Sequence, residues 1–211
     1  MNKFIKILCL TCVLCAGAFA QNQADEYKKN EFYGGYSNQQ LDVGNYRTAN
    51  GFEGAYVRNV HRYFGIKADV SGAYRSDDFQ ITLNDSTNGT FSYRGEASNS
   101  TYNFLGGVQV KNNASNARFK PFAHALAGVA VRHYKNGALT CTSGNCPSFI
   151  NNTVPFTYTN ASFAAAVGGG LDIRINDKID FRAIQVDYNP IFGSSGFWQH
   201  NVRFGIGIVF K

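Results

Sequence analysis

The 211-residue chain is short of several things. Proline occurs four times, and methionine and tryptophan once each. Charged residues make up only 16%, with no run of either sign. A nucleic-acid binder gathers Lys and Arg on one face or in one segment, so that class is excluded. After the first twenty positions no segment reaches the roughly 20 apolar residues that a spanning helix needs. The stretch of lowest polarity there, Phe163 to Leu171, is broken by Gly168, Gly169 and Gly170. Glycine and aromatics are abundant instead, with 22 Gly, 12 Tyr and 18 Phe. Few charges with many glycines and rings is a β-rich composition.

The N-terminus predicts export. Lys3 and Lys6 form a positive start, Ile7 to Leu14 a short apolar core, and Ala18-Phe19-Ala20 a cleavage site. Residues 1–20 read as a signal peptide cut after Ala20. Leu14 stands before Cys15 where a lipidation site wants a small residue, which argues against an acylated N-terminus. Cleavage removes Cys9, Cys12 and Cys15 together with two lysines, leaving 18 basic against 14 acidic residues. Residues 21–30 then read as a polar periplasmic leader, and 31–211 as one domain. The two remaining cysteines, Cys141 and Cys146, share a polar loop with Gly144 and Pro147. An oxidising compartment predicts a disulfide between them. A metal site would need more ligands than the nearby His133 supplies.

Alternation decides the architecture. From Arg203 to Phe210 one face carries Phe204, Ile206, Ile208 and Phe210, and the other Arg203, Gly205, Gly207 and Val209. Strand side chains point to opposite faces with period two. An apolar face beside a buried Arg suits a barrel in lipid, with the arginine in a polar lumen. Strand three, Phe64 to Arg75, sets Phe64, Ile66, Ala68, Val70, Gly72 and Tyr74 against Lys67, Asp69 and Arg75. Further strands are predicted at 31–37, 51–59, 100–111, 119–134, 161–175, 179–188 and 198–210. Loops after strands one, three, five and seven are long, and those after two, four and six short, as in barrels with long extracellular loops and short periplasmic turns. The expected fold class is all-β, an eight-stranded antiparallel transmembrane β-barrel with a filled polar lumen. Lys67, Asp69, Asp172, Arg174, Asp180, Arg182 and Arg203 are its expected lumen network, and Phe204, Ile206, Ile208 and Phe210 its lipid-facing set. Trp198, Phe197, Tyr188 and Tyr134 are assigned to an aromatic girdle. Strand seven breaks parity, because Asp180 and Arg182 share one phase and Gln185 and Asp187 the other. Either a bulge near Ala183 resets the pleat, or polar residues approach the lipid near the rim.

Pro121-Phe122-Ala123-His124-Ala125-Leu126-Ala127-Gly128, Gly168-Gly169-Gly170-Leu171-Asp172, Arg182 to Tyr188 and Asn201 to Phe210 resemble the small outer-membrane β-barrel domain family, OmpA-like in architecture. The resemblance covers about Glu31 to Lys211. It implies the cell outer membrane, contact with outer-membrane lipids and the barrel-assembly machinery, and no cofactor. A structural or surface-interaction role without catalysis is expected, with any surface partner meeting loops 76–99 and 135–160. Other readings are an OmpW-like carrier of small hydrophobic molecules, which predicts an apolar lumen, a lipid-modifying enzyme, and a soluble secreted barrel. Barrel lipid A deacylases place a Ser two residues after their catalytic His; two residues after His200 stands Val202. Gly168-Gly169-Gly170 lacks the Lys-Ser/Thr ending and helix of a phosphate loop.

Overall fold

The pleat predicted from alternation closes on itself. The computed structural model describes residues 27–41, 47–87, 89–114, 116–151, 153–193 and 196–211; the signal peptide and most of the leader lie outside these. The strands are β1 (Asn30–Leu41), β2 (Arg47–Asn59), β3 (Phe64–Asp85), β4 (Gly89–Lys111), β5 (Phe119–Asn136), a short β6 (Thr140–Ser143), β7 (Phe156–Arg174), β8 (Ile179–Phe192) and β9 (Trp198–Phe210). One helical turn, α1 (Ser148–Asn151), follows β6. All pairings are antiparallel. Each strand pairs with the next around the ring, β6 excepted, and β9 returns to β1, so eight strands form a closed barrel. Closure leaves no sheet edge within the wall.

Burial follows the pleat. In β3 the side chains of Lys67, Asp69 and Ser71 are buried, while Phe64, Ile66 and Val70 are exposed. In β9 Arg203 and Val209 are buried, whereas Phe204, Ile206 and Phe210 are exposed. Ile208 is half-buried on the same outer face. Outward rings gather towards the two ends. Phe32 lies 5.0 Å from Tyr56 near the turn end. Trp198 meets Phe163 edge-on at 6.1 Å and Phe192 at 5.2 Å near the loop end. Tyr134 does not belong to that outer girdle: it lines a cleft at the barrel mouth with Leu41, Arg75 and Asp77, because it shares the inward phase of Leu126 and Ala130 on β5.

The parity break in strand seven resolves as a bulge in β8. Asp172 of β7 pairs with Arg182 and Leu171 with Ile184, so Ala183 is extra. On the other side Arg182 pairs with Gly207 and Gln185 with Gly205, leaving Ala183 and Ile184 opposite Ile206 alone. Two residues against one is the β-bulge count. It turns Asp180, Arg182, Gln185 and Asp187 all inward, each buried.

The predicted loops are corrected most. Segment 76–99 is no loop: β3 and β4 run on as a ladder to the pair Asp85–Gly89. Pairing across the hairpin satisfies the amides and carbonyls on its inner side, and polar side chains are compatible with strand on a solvated hairpin. Likewise β1 runs to Leu41 and β2 starts at Arg47, so both strands extend into the segment 38–50 expected as the first long loop.

Candidate functional site

Two features beyond the bare wall stand out: the charged lumen and a lobe above the mouth. The middle of the lumen holds Glu53, Asp69 and Asp187 against Lys67 and Arg203. Arg203 Nη1 donates to Asp69 Oδ1 and to Ser71 Oγ, both at 2.9 Å, and its Nη2 donates to Asp187 Oδ2 at 2.7 Å. Lys67 Nζ lies 3.1 Å from Asp69 and 3.6 Å from Glu53. His124 sits between Asp187 at 2.8 Å and Lys67 at 3.4 Å. Low dielectric strengthens such pairs and makes a missing partner costly.

A second layer lies towards the turn end. Arg182 Nε donates to Asp172 Oδ1 at 2.8 Å, and Lys111 Nζ to Asp172 Oδ2 at 3.2 Å. Lys111 also donates to Glu31. The Arg182 guanidinium is sandwiched between Tyr33 and Phe122, 4.3 and 4.0 Å from the ring centroids; planar delocalised charge suits such stacking. Gln185 joins the layers, accepting from Arg182 and donating to Glu53 and Asp187. Asp180 is bonded by Lys211 at 2.6 Å. Towards the loop end the lumen turns apolar, with Leu105, Leu126, Ala130, Ala164, Ala166 and Ile191 in one buried cluster.

Six of the seven residues assigned to the lumen from sequence, Lys67, Asp69, Asp172, Asp180, Arg182 and Arg203, are inward and at most 1% exposed. Arg174 is not among them. It stands at the last β7–β8 pair and reaches into the turn, donating to Asp177 and to the Asn116 carbonyl. The same hydrogen bond and charge hold the exposed Asp177 carboxyl below its usual range. Glu31, Glu53, Lys111 and His124 were missed as network members. Strict phase would have found them: Glu31 alternates with the inward Tyr33, Lys111 with Gln109, and His124 with Phe122 and Leu126.

The lobe rises from the loop end. β3 has 22 residues and β4 has 23, where about 9–11 suffice to cross a bilayer. Beyond Tyr74, the last β3 residue paired with β2, eleven residues of β3 continue to Asp85. At about 3.3 Å per residue that is a projection of roughly 35 Å. β6 pairs with β4 at Ser92 to Arg94. Phe91 and Ile150 are almost wholly buried, at 2% and 1% exposure, and form the lobe's small core with Tyr93, stacked on Phe91. Gly144 has φ +76°, and a Cβ there would strike the Thr90 carbonyl at 2.3 Å. Glycine is therefore needed where the 140s loop lies down on β4. A disulfide joins Cys141 to Cys146 in that loop.

His200 is on the outer face, hydrogen-bonded to Tyr188 and stacked on its ring. His133 Nδ1 is 2.9 Å from the Thr159 hydroxyl. His124 has the Asp187 carboxylate at 2.8 Å, and its other nitrogen faces Lys67, not a hydroxyl. No group of three or more metal-ligating side chains occurs among the described residues.

Solved structures share the fold. The attachment invasion locus protein Ail of Yersinia pestis, solved with the heparin analogue sucrose octasulfate, has a TM-score of 0.51 at 12% identity, covering 86% of this chain and 96% of its own. Neisserial surface protein A has a TM-score of 0.50 at 9% identity, covering 88% of this chain and 99% of its own. No curated relative matches the sequence. The profile of the outer membrane protein beta-barrel domain matches residues 7–210, and with the closed eight-stranded wall already in view, the chain belongs to that family.

Proposed function

We propose that this outer-membrane barrel is a non-catalytic surface-interaction protein, anchored by its wall and presenting the β3–β4 lobe to partners outside the cell. The carrying observation is the disparity in length: β3 and β4 are about twice what the bilayer requires, and the excess builds a lobe with its own core and disulfide. The filled lumen supports the reading. Ion pairs and glutamines occupy its middle, and packed Leu, Ile and Ala its upper part, which suits neither pore nor hydrophobic carrier. That Ail is described as an attachment protein bound to a sulfated sugar adds to it. Export by a signal peptide cleaved after Ala20, the 31–211 barrel domain, and contact with outer-membrane lipids and the assembly machinery belong to the same proposal.

The test replaces residues 77–97 with an Asn-Gly turn, which suits a two-residue hairpin. The variant is expected to remain heat-modifiable on a detergent gel of the outer-membrane fraction. Intact cells carrying it are expected to lose binding to arrayed matrix proteins and glycans. Binding equal to that of the full-length protein would sink the surface role.

The lipid-facing assignment of Phe204, Ile206, Ile208 and Phe210 carries its own prediction. Ile206→Arg is expected to cost about 2–4 kcal/mol of unfolding free energy in lipid vesicles, the range for a cation near the bilayer midplane. An unchanged midpoint would place this face away from lipid.

A further inference from the structure

At the turn end of the lumen one cation stands without a side-chain carboxylate partner. Its buried or nearly buried cations are Lys111, Lys120, Arg182 and Lys211, and its carboxylates are Glu31, Asp172 and Asp180. Asp172 stands directly opposite Lys120 in the β5–β7 ladder, but it is occupied by Arg182 and Lys111. Asp180 is occupied by Lys211. Lys120 is only 7% exposed, and among the described residues it alone of the buried lysines and arginines has no carboxylate within 4.0 Å. The residue is mostly covered, so its ammonium reaches solvent only through the rim, where a counter-charge would be strengthened by the low surrounding dielectric.

Lys120 opens onto a cleft of about 170 Å³ at the barrel rim, lined also by Lys28, Arg174, Lys211, Asn116 and Asp177. Asp177 is neutralised by Arg174, which leaves Lys28 and Lys120 as the uncompensated charges. Two lysines lining one small cleft offer a phosphate oxyanion hydrogen bonds and charge together. The cleft lies at the end of the short turns, and the outer face there exposes Phe119 and Phe210.

From this we propose that the cleft around Lys120 binds a phosphate group, supplied either by a phospholipid headgroup or by free phosphate. The bound anion completes the lumen's charge pairing at the turn end.

The experiment uses the full chain refolded in octyl glucoside, which contains no phosphate, with ionic strength held constant by chloride. Folding of every sample is checked by heat-modifiability, a readout independent of any surface role. Inorganic phosphate and short-chain phosphatidylglycerol are titrated separately, with short-chain diacylglycerol as control, and the thermal midpoint is followed. A saturable rise is expected with phosphate or phosphatidylglycerol and none with diacylglycerol. Tighter response to phosphatidylglycerol assigns the lipid source; response to inorganic phosphate alone assigns the free ion. Lys120→Met is expected to weaken binding at least tenfold, while Arg94→Met on the lobe leaves it unchanged. If Lys120→Met does not fold, Lys28→Met carries the test with an expected loss of several-fold. No saturable response to either phosphate compound overturns the proposal, as does a Lys120→Met or Lys28→Met protein that responds like the parent.

Discussion

Deletion of Ala183 is expected to leave the barrel able to assemble. The bulge at Ala183 and Ile184 is the one place where β8 changes phase. With the extra residue gone, Asp180, Arg182, Gln185 and Asp187 fall in one uninterrupted alternation, and Ile184 alone stands opposite Ile206. All four then face inward with Lys211, Asp172, Glu53 and Arg203 still opposite them. What the deletion removes is the local bend and added twist of a bulge. The expected readout is a retained heat-modifiable band, for the deletion and for Ala183→Gly alike. A deletion variant that no longer shifts on the gel would show that the bend itself, and not only the inward phase, is needed for closure.

Arg203→Met is expected to be the most damaging of the conservative-volume substitutions. Arg203 meets Asp69 and Asp187 directly and Glu53 at 3.6 Å. Its loss leaves three buried carboxylates around Lys67 and His124. Removing one partner of a buried pair costs about 3–5 kcal/mol, mostly as the penalty of the charge left behind. Arg94→Met is the control. Arg94 bonds Asp78 on the lobe with both side chains more than half exposed, and such pairs are worth about 0–1 kcal/mol. Urea unfolding in vesicles separates the two. Equal midpoints for Arg203→Met and the parent would show that the lumen network does not hold the wall together. The combined variant Arg203→Met with Asp187→Asn is expected to recover part of the loss, since it removes a stranded charge with its partner.

What could be read from the chain depended on whether a residue's environment acts with a fixed period. In β3 and β9 every second residue meets solvent-like lumen or apolar surroundings, so Lys67, Asp69 and Arg203 declared their side directly. In β8 the period is interrupted, and sequence left two readings open around Ala183. Only pairing with Gly205 and Gly207 on the neighbouring strand decided between them. Arg174 carried the right phase but sits at the strand end, where a long side chain reaches whichever acceptor is near, here Asp177. The 76–99 segment misled for a different reason. Asn, Asp, Ser and Gly favour turns by their local hydrogen bonds, yet a ladder beyond the barrel wall tolerates them where its side chains are exposed, as along β3 from Gln80 to Asn84. The site at Lys120 was invisible in sequence, since an unpaired charge is a property of its neighbours and their prior commitments.

The tall hairpin has a cost of its own. Among the described residues, β3 pairs with no strand on its outer side beyond Tyr74. A strand edge of this kind invites pairing with another chain, which sheets resist by placing charge on such flanks. Arg75, Asp77 and Asp78 place charge where the flank begins, which disfavours edge-to-edge pairing between copies. From Phe79 to Leu83 that protection lapses, with Ile81 and Leu83 exposed. This stretch is where misassembly between copies would start, and where an added lysine would improve recovery of soluble, unclumped protein.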